Sequence, residues 1–482
     1  MSAAASAPRP RVVSPSAWLL LGVLALAVTG MRFNIAAVAW VAPVPWLIYL
    51  RRTDTWWQWV GMALAVQVGM FVQILTIITE PIPWFFAPMF SVPMGLGFSV
   101  LLWGFEAWRR RLGDRAGLLL LPALAVGTEW LSAQHGSQGS WGAAAYTQID
   151  NLALIQTVSL VGLAGISALM ASVAGLVTVA IDGDRDRAWR RGVLLTGGLV
   201  VAAQLWGSWR LTLPLDGPHV TVAGIVSDVG ITPDGLPSDA EMSAATEALF
   251  ERSEAAMEAG AVLVAWNEGA IVVESDDEAA LLARGQALSA AGGADLVLAY
   301  VVPLDGMARF ENKYVWMTPK GPIETYFKHR PVPGEGSVRG TAPIVGHDRP
   351  YARVAGAICY DYDFPAIGRA HALAGVGLVA VPSSDWAGID PLHTRMASVR
   401  GIEGGYAVLR PVRWATSGAF DAHGRARATM SGFGDDERLF FARLPVTPVP
   451  TLYRRVGDVL PAAAAVVLLW MLGLLAWKRR AG

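Results

Sequence analysis

The chain has one cysteine in 482 residues, so no disulfide can form within it, and neither a multi-cysteine zinc site nor an iron–sulfur cluster can be assembled. Charge is scarce too. Only 16% of residues are Asp, Glu, Lys or Arg, against roughly 25% in an ordinary soluble domain, which excludes a wholly water-soluble protein. The charges nearly cancel, 38 basic against 39 acidic, so the balance predicts no nucleic-acid partner. Lysine is the rare cation, present at positions 313, 320, 328 and 478 only. There is no Gly-x-Ser-x-Gly elbow to offer a serine nucleophile. The glycines of Met94-Gly95-Leu96-Gly97 fall in an apolar stretch, where they favour helix packing and match no phosphate-cradling loop. His135, His219, His329, His347, His371, His393 and His423 show no i,i+4 pairing, so neither a metal nor any other cofactor is expected.

What is abundant is apolar surface, at 54% of residues. Stretches approaching the ~20 residues that cross a bilayer occur at about 17–31, 33–50, 56–79, 84–107, 116–132, 152–181, 192–211 and 456–477, which predicts eight transmembrane helices. No small-residue cleavage site follows the first stretch, so it reads as a retained anchor. Between the seventh and eighth lies a polar segment with the capping boxes Ser238-x-x-Glu241 and Ser275-x-x-Glu278. The expected organisation is a membrane domain over 1–215, a water-soluble α/β domain over 216–447, and the eighth span with its tail over 448–482. Basic residues recur at Arg9, Arg11, Arg51, Arg52, Arg109–Arg111, Arg115, Arg185–Arg191 and Lys478–Arg480, and the intervening short loops hold only Arg32. Because basic loops stay cytoplasmic, both termini are expected inside and the 216–447 domain outside.

An unpaired thiol facing an oxidising compartment is a liability. Cys359 follows the strand-like run Arg353–Ile358 and precedes the polar turn Tyr360-Asp361-Tyr362-Asp363. Alone it reads equally as an inert buried hydrophobe. Two other strand-like runs also end in charge: Ala261–Trp266 before Asn267-Glu268, and Gly321–Phe327 before Lys328, with a Pro/Gly loop reaching Glu335. Glu268 alone reads as a cap and Lys328 as a solvated strand end. Together, a thiol, a carboxylate and an ammonium at successive strand ends can converge on one sheet edge, where the carboxylate takes the thiol proton and the cation favours the thiolate and a later oxyanion.

Trp266-Asn267-Glu268, Tyr326-Phe327-Lys328, Pro333-Gly334-Glu335, Ile358-Cys359-Tyr360-Asp361, Ser384-Asp385-Trp386 and Arg395–Glu403 resemble the nitrilase superfamily of carbon–nitrogen hydrolases. With the eight spans, and with Glu129-Trp130 and Trp141–Asp150, the whole chain is similar to the bacterial apolipoprotein N-acyltransferases. The resemblance implies an α-β-β-α sandwich with Cys359 as nucleophile, Glu268 as base and Lys328 as oxyanion-stabilising cation. It also implies Glu335 as support, the Tyr360 N–H as a second oxyanion donor, Asp361 at a position where the family has glutamate, and Trp266, Trp386, Trp141 and Tyr146 as substrate-binding side chains. The implied reaction moves an acyl chain from a phospholipid such as phosphatidylethanolamine to Cys359, then to the N-terminal amine of a diacylglyceryl-cysteine apolipoprotein at the outer face of a bacterial plasma membrane. Departures fall at Asn267, where the family has proline, and Ser384, where asparagine is common. Other readings are a membrane-tethered amidase in which water resolves the acyl-cysteine, a transporter using the carboxylates Glu106, Glu129 and Asp458, and an idle scaffold.

Overall fold

The computed structural model describes residues 13–230, 235–305, 307–433 and 438–481; Arg9 and Arg11 of the basic pattern lie outside them. Six helices are long and apolar enough to cross a membrane: Trp56–Leu75, Trp84–Leu112, Asp114–His135, Leu163–Asp182, Arg187–Thr212 and Val459–Arg480. The expected spans at 17–31 and 33–50 take shorter forms. Helix Pro15–Ala27, capped by Ser14, has 13 residues and so extends about 20 Å, short of a ~30 Å hydrocarbon core. The second stretch splits into Ala36–Ala39 and Val44–Arg51, because Pro43 and Pro45 are tolerated at the start of a helix but not inside one. Trp46, Leu47, Ile48 and Leu50 of the second piece are fully buried among the other helices. The 152–181 stretch likewise breaks at Gly162, whose φ of +67° leaves only Leu163–Asp182 as a long helix.

Ion pairs tie one set of helix ends together. Arg51 pairs with Asp114 (2.9 Å), Arg52 with Asp182 (3.1 Å) and Arg109 with the fully buried Glu106 (2.6 Å), while Lys478 Nζ donates to the Arg111 carbonyl (3.0 Å). Glu106 is thus half of an internal ion pair. At the other ends sit the contacts with the strand-rich half.

That half contains β1 (His219–Ile225), β2 (Leu263–Trp266), β3 (Asp295–Pro303), β4 (Phe310–Thr318), β5 (Gly321–Phe327), β6 (His347–Asp348) and β7 (Arg353–Gly356). It continues with β8 (Leu378–Ala380), β9 (Ser383–Ser384), β10 (Ala407–Arg410), β11 (Val412–Arg413), β12 (Ser417–Phe420), β13 (Ala426–Met430) and β14 (Leu439–Pro445). One sheet runs β14-β1-β2-β3-β4-β5, the other β13-β12-β10-β8-β7-β6, and β11 pairs with β9. Val222, Leu263, Val297 and Trp316 of the first sheet pack against Val354, Leu378 and Val408 of the second. Helices Asp239–Glu258 and Glu278–Gly292 cover the first sheet's outer face through Leu249, Phe250 and Leu281, and Pro365–Leu373 and Leu392–Gly404 lie on the second. The order of layers is helix, sheet, sheet, helix.

β2 and β5 belong to the first sheet and β7 to the second, so Glu268, Lys328 and Cys359 do not share one sheet edge. They meet where the ends of both sheets face each other, because close face-to-face packing brings those ends together. Docking onto the helices is equally close. A Cβ at Gly388 would lie 2.0 Å from the Ile77 carbonyl oxygen, the same oxygen that accepts the Trp386 indole N–H at 2.5 Å. Gly388→Ala is expected to cost about 1–3 kcal/mol through this backbone clash, read as a lower thermal midpoint in detergent. Gly61→Ala, where a Cβ meets nothing within 4 Å, is the control expected to show no loss.

Candidate active site

Glu268 stands just after the fully buried strand β2 and Lys328 directly after β5, while Glu335 lies in the loop beyond. Asn267, standing just after β2, accepts the Ser227 N–H (2.8 Å) and donates to the Glu268 carbonyl (2.9 Å), a bracing that a proline in its place could not supply. Glu268 Oε1 then accepts from Lys328 Nζ (2.8 Å) and from the Asn312 amide (2.7 Å), and Oε2 accepts the Ser384 N–H (2.9 Å). Lys328 donates in turn to Glu335 Oε2 (2.8 Å), which also accepts the Val332 N–H (2.9 Å). A buried ammonium is therefore clasped by two carboxylates. Burial opposes its charge, but Glu268 and Glu335 outweigh burial and hold Lys328 well above its ordinary range, fully protonated. Glu335 is pushed up by burial and drawn down further by Lys328, leaving it ionised.

Cys359 opens a short 3₁₀ turn, Cys359–Asp363, with φ of +44°, a left-handed conformation costly for a residue with a Cβ. Asp361 staples that turn. Its carboxylate accepts the Ile358 N–H (3.0 Å), the Tyr326 hydroxyl (2.9 Å) and the Arg330 N–H (2.7 Å), so it links the Cys359 turn to the loop after Lys328. The Cys359 N–H is engaged by the Pro382 carbonyl (2.9 Å). Its sulfur lies 3.6 Å from the Ser384 carbonyl oxygen and 3.7 Å from Asp385 Oδ1. Burial pushes the thiol well above its ordinary pKa, Glu268 and Asp385 push the same way, and Lys328 and Arg410 do not reverse it. The resting group is therefore a thiol, with Lys328 not enough to favour the thiolate.

Several residues with no prominent sequence signal complete the surroundings. Asp385 is gripped by both Arg410 Nη atoms (3.0 Å each) and by His393 Nδ1 (2.7 Å), whose Nε2 lies 3.2 Å from Asp363. The sulfur, Asp385 and His393 present ligand-type atoms within 4.8 Å of one another. Histidines read from the sequence as unconnected thus include one beside the nucleophile. The Arg410 guanidinium, 2.9 Å from His393 Nδ1, already supplies positive charge there. Burial disfavours the imidazolium, but Asp363 and Asp385 prevail and raise His393 to about 9.

The thiol opens into a cavity of about 250 Å³ whose walls come from both halves of the chain. One side is polar, with Glu268, Lys328, Glu335 and Cys359, and the other aliphatic, with Met31, Ile74, Ile77, Ile78, Phe90 and Met94. Tyr360, Trp386 and Trp141 also line it. The Tyr360 hydroxyl donates to the Ser137 carbonyl (2.9 Å), and the Trp141 indole to Asp363 Oδ2 (2.7 Å). Trp266 does not line it. Its ring points to the outer face of the first sheet, packs on Phe250 and donates to Ser253 Oγ (2.9 Å). Tyr146 lies beyond the cavity, joining Ser140 and Arg400 at 2.9 and 2.8 Å.

Residues 18–176 match the model of the apolipoprotein N-acyltransferase N-terminal domain family. The apolipoprotein N-acyltransferase of Bradyrhizobium diazoefficiens is 28% identical over 80% of this chain and 77% of its own. That of Geobacter metallireducens is 26% identical over 96% of this chain and 95% of its own. Among solved structures, an amidase from Nesterenkonia sp. aligns with 50% of this chain and 94% of its own, at 18% identity and a TM-score of 0.41.

His393 gains its charge in the fold, where its pKa rises from 6.5 to about 9, so the stabilisation it contributes is complete below 6.5 and is lost as pH climbs through 9. The thermal midpoint is expected to fall across that window, and His393→Gln to flatten the fall. The raised thiol pKa predicts that iodoacetamide labelling of Cys359, followed by intact mass, keeps accelerating above pH 9.

Proposed function

We propose that the chain is a member of the apolipoprotein N-acyltransferase family, which its N-terminal half and its relatives resemble, and that it transfers an acyl chain from a membrane phospholipid through Cys359 to the N-terminal amine of a diacylglyceryl-cysteine lipoprotein. The observation that carries the reading is the cavity itself: a thiol beside a lysine-bridged pair of carboxylates, and apolar side chains of the helical half and its loops. Such a space holds an ester carbonyl at the sulfur and the attached hydrocarbon away from water.

In the first half-reaction Cys359 Sγ attacks the ester carbonyl while Glu268 takes the thiol proton. Lys328, with the Tyr360 N–H, stabilises the oxyanion; one such donor is typically worth about 3–4 kcal/mol. Collapse of the intermediate breaks the C–O bond, Glu268 returns the proton to the departing glycerol oxygen, and a lysophospholipid leaves behind a thioester. In the second, the lipoprotein amine attacks that thioester, the C–N bond forms as C–S breaks, and Glu268 passes the amine proton to the sulfur. Glu335 and Asn312 hold Lys328 and Glu268 in place, and a phosphatidylethanolamine-like lipid is the donor in this reading. No cofactor enters either half.

The same reading places the ionic cluster of helix ends at the cytoplasmic face of a bacterial plasma membrane, since short Arg-rich loops stay inside, and the catalytic half outside. In this reading the short helices near 15–27 and 36–51, lengthened by the apolar residues that flank them, complete eight crossings, and the membrane half meets the catalytic half at 215/216 and 447/448.

Intact mass after exposure to phospholipid is expected to show one acyl addition that vanishes in Cys359→Ala; no addition to the unaltered chain would sink the reading. Supplying a diacylglyceryl peptide should yield amide, whereas release of free acid alone would indicate a hydrolase. Lys328→Arg is expected to fail, since a planar guanidinium does not reproduce the compact ammonium between two carboxylates. Glu268→Gln should slow acyl-enzyme formation on the order of 10²–10⁴-fold in stopped time courses.

A further inference from the structure

A second and larger cavity, about 630 Å³, adjoins the first and shares Met31, Met94, Gln138 and Trp141 as its wall. It reaches from Leu121 deep in helix Asp114–His135 to Trp130 and Gln134 near that helix's end, about 13 Å along the axis for Leu121 to Trp130. Its floor is apolar and five carboxylates line it, of which Asp150 pairs with Arg395 and Glu403 with Arg400, while Glu129, Asp390 and Asp458 have no ion-pair partner among the described residues and outnumber Arg32. Glu403, 3% exposed, is held 2.9 Å from Arg400 Nη1. An apolar depth beneath an anionic mouth fits an amphiphile whose head is a cation.

The two-step chemistry decides which amphiphile. After the first half-reaction the transferred chain is tethered at Cys359 and fills the aliphatic side of the small cavity. A second substrate with two chains of its own must lodge elsewhere and present its amine past the shared wall. We propose that the large cavity is the acceptor site, taking the acyl chains and cationic N-terminus of the diacylglyceryl-cysteine substrate while the donor's chain occupies the small one. This rests on the acyltransferase reading above. Within the site the ammonium gives one proton to water, the free amine attacks the thioester carbonyl, and its second proton reaches the sulfur through Glu268.

The test separates the half-reactions in the full-length protein reconstituted in nanodiscs. Ser167→Leu and Ala125→Leu, which line only the large cavity, fill it, and Glu129→Gln removes one of its charges. Acyl-enzyme formation, followed by intact mass, should stay within about twofold of the unaltered protein, which also shows that the variants are folded, while single-turnover transfer to a diacylglyceryl peptide slows by at least about tenfold. Transfer to a small amine without acyl chains should be insensitive to the two filling variants. Equal slowing of both half-reactions, slowing of acyl-enzyme formation alone, or slowing of neither would overturn the acceptor assignment. Failure of the unaltered protein to form an acyl-enzyme would instead overturn the underlying acyltransferase reading.

Discussion

The site depends on an ammonium buried between two carboxylates. Without Lys328, Glu268 and Glu335 would be like charges crowded in a dry space; with it, each is 2.8 Å from a cation. Breaking such a buried pair by removing one partner typically costs about 3–5 kcal/mol, because an uncompensated charge is left behind. The same three groups join the loops after β2 and β5, and Glu268 reaches β9, just beyond the second sheet's β8, through the Ser384 N–H. Catalytic geometry and inter-sheet registry are thus held by one set of bonds.

A second balance surrounds the sulfur. Asp385, close enough to discourage a thiolate, is itself neutralised by Arg410 and the His393 imidazolium. Cys359 is therefore kept protonated while it still shares its cavity with Glu268. A resting thiol reacts slowly with stray oxidants.

The helical half does more than anchor this chemistry. Its loop after His135 threads into the catalytic half, where the Ser140 N–H and hydroxyl both donate to the Asp363 carbonyl (2.8 and 2.7 Å) and Trp141 holds the Asp363 carboxylate. Through Asp363 the loop supports His393, so membrane helices and catalytic turn share one hydrogen-bond network. Gln138 and Trp141 of the same loop, with Met31 and Met94, form the wall that the two cavities share.

Much of the site was legible in the chain because an apolar run that stops at a charged residue is a local signal. Glu268, Lys328 and Cys359 each stand at such a stop. Asn312, Asp363, His393 and Arg410 gave no comparable signal, since their meaning lies in partners up to scores of residues away. Trp266 shows a different limit: β2 is buried on both faces, so the alternation that would tell inward from outward is missing. Hydropathy located the apolar stretches but not their breaks, which Pro43 and Gly162 impose through backbone geometry. The sequence by itself determined which residue types were available, one thiol and few ammonium groups, and that a polar half sits among apolar helices, because composition and hydropathy are properties of the chain. Only the tertiary structure decided that the three reactive groups meet between two sheets and that membrane helices wall their cavity, because those contacts exist only once distant segments have packed.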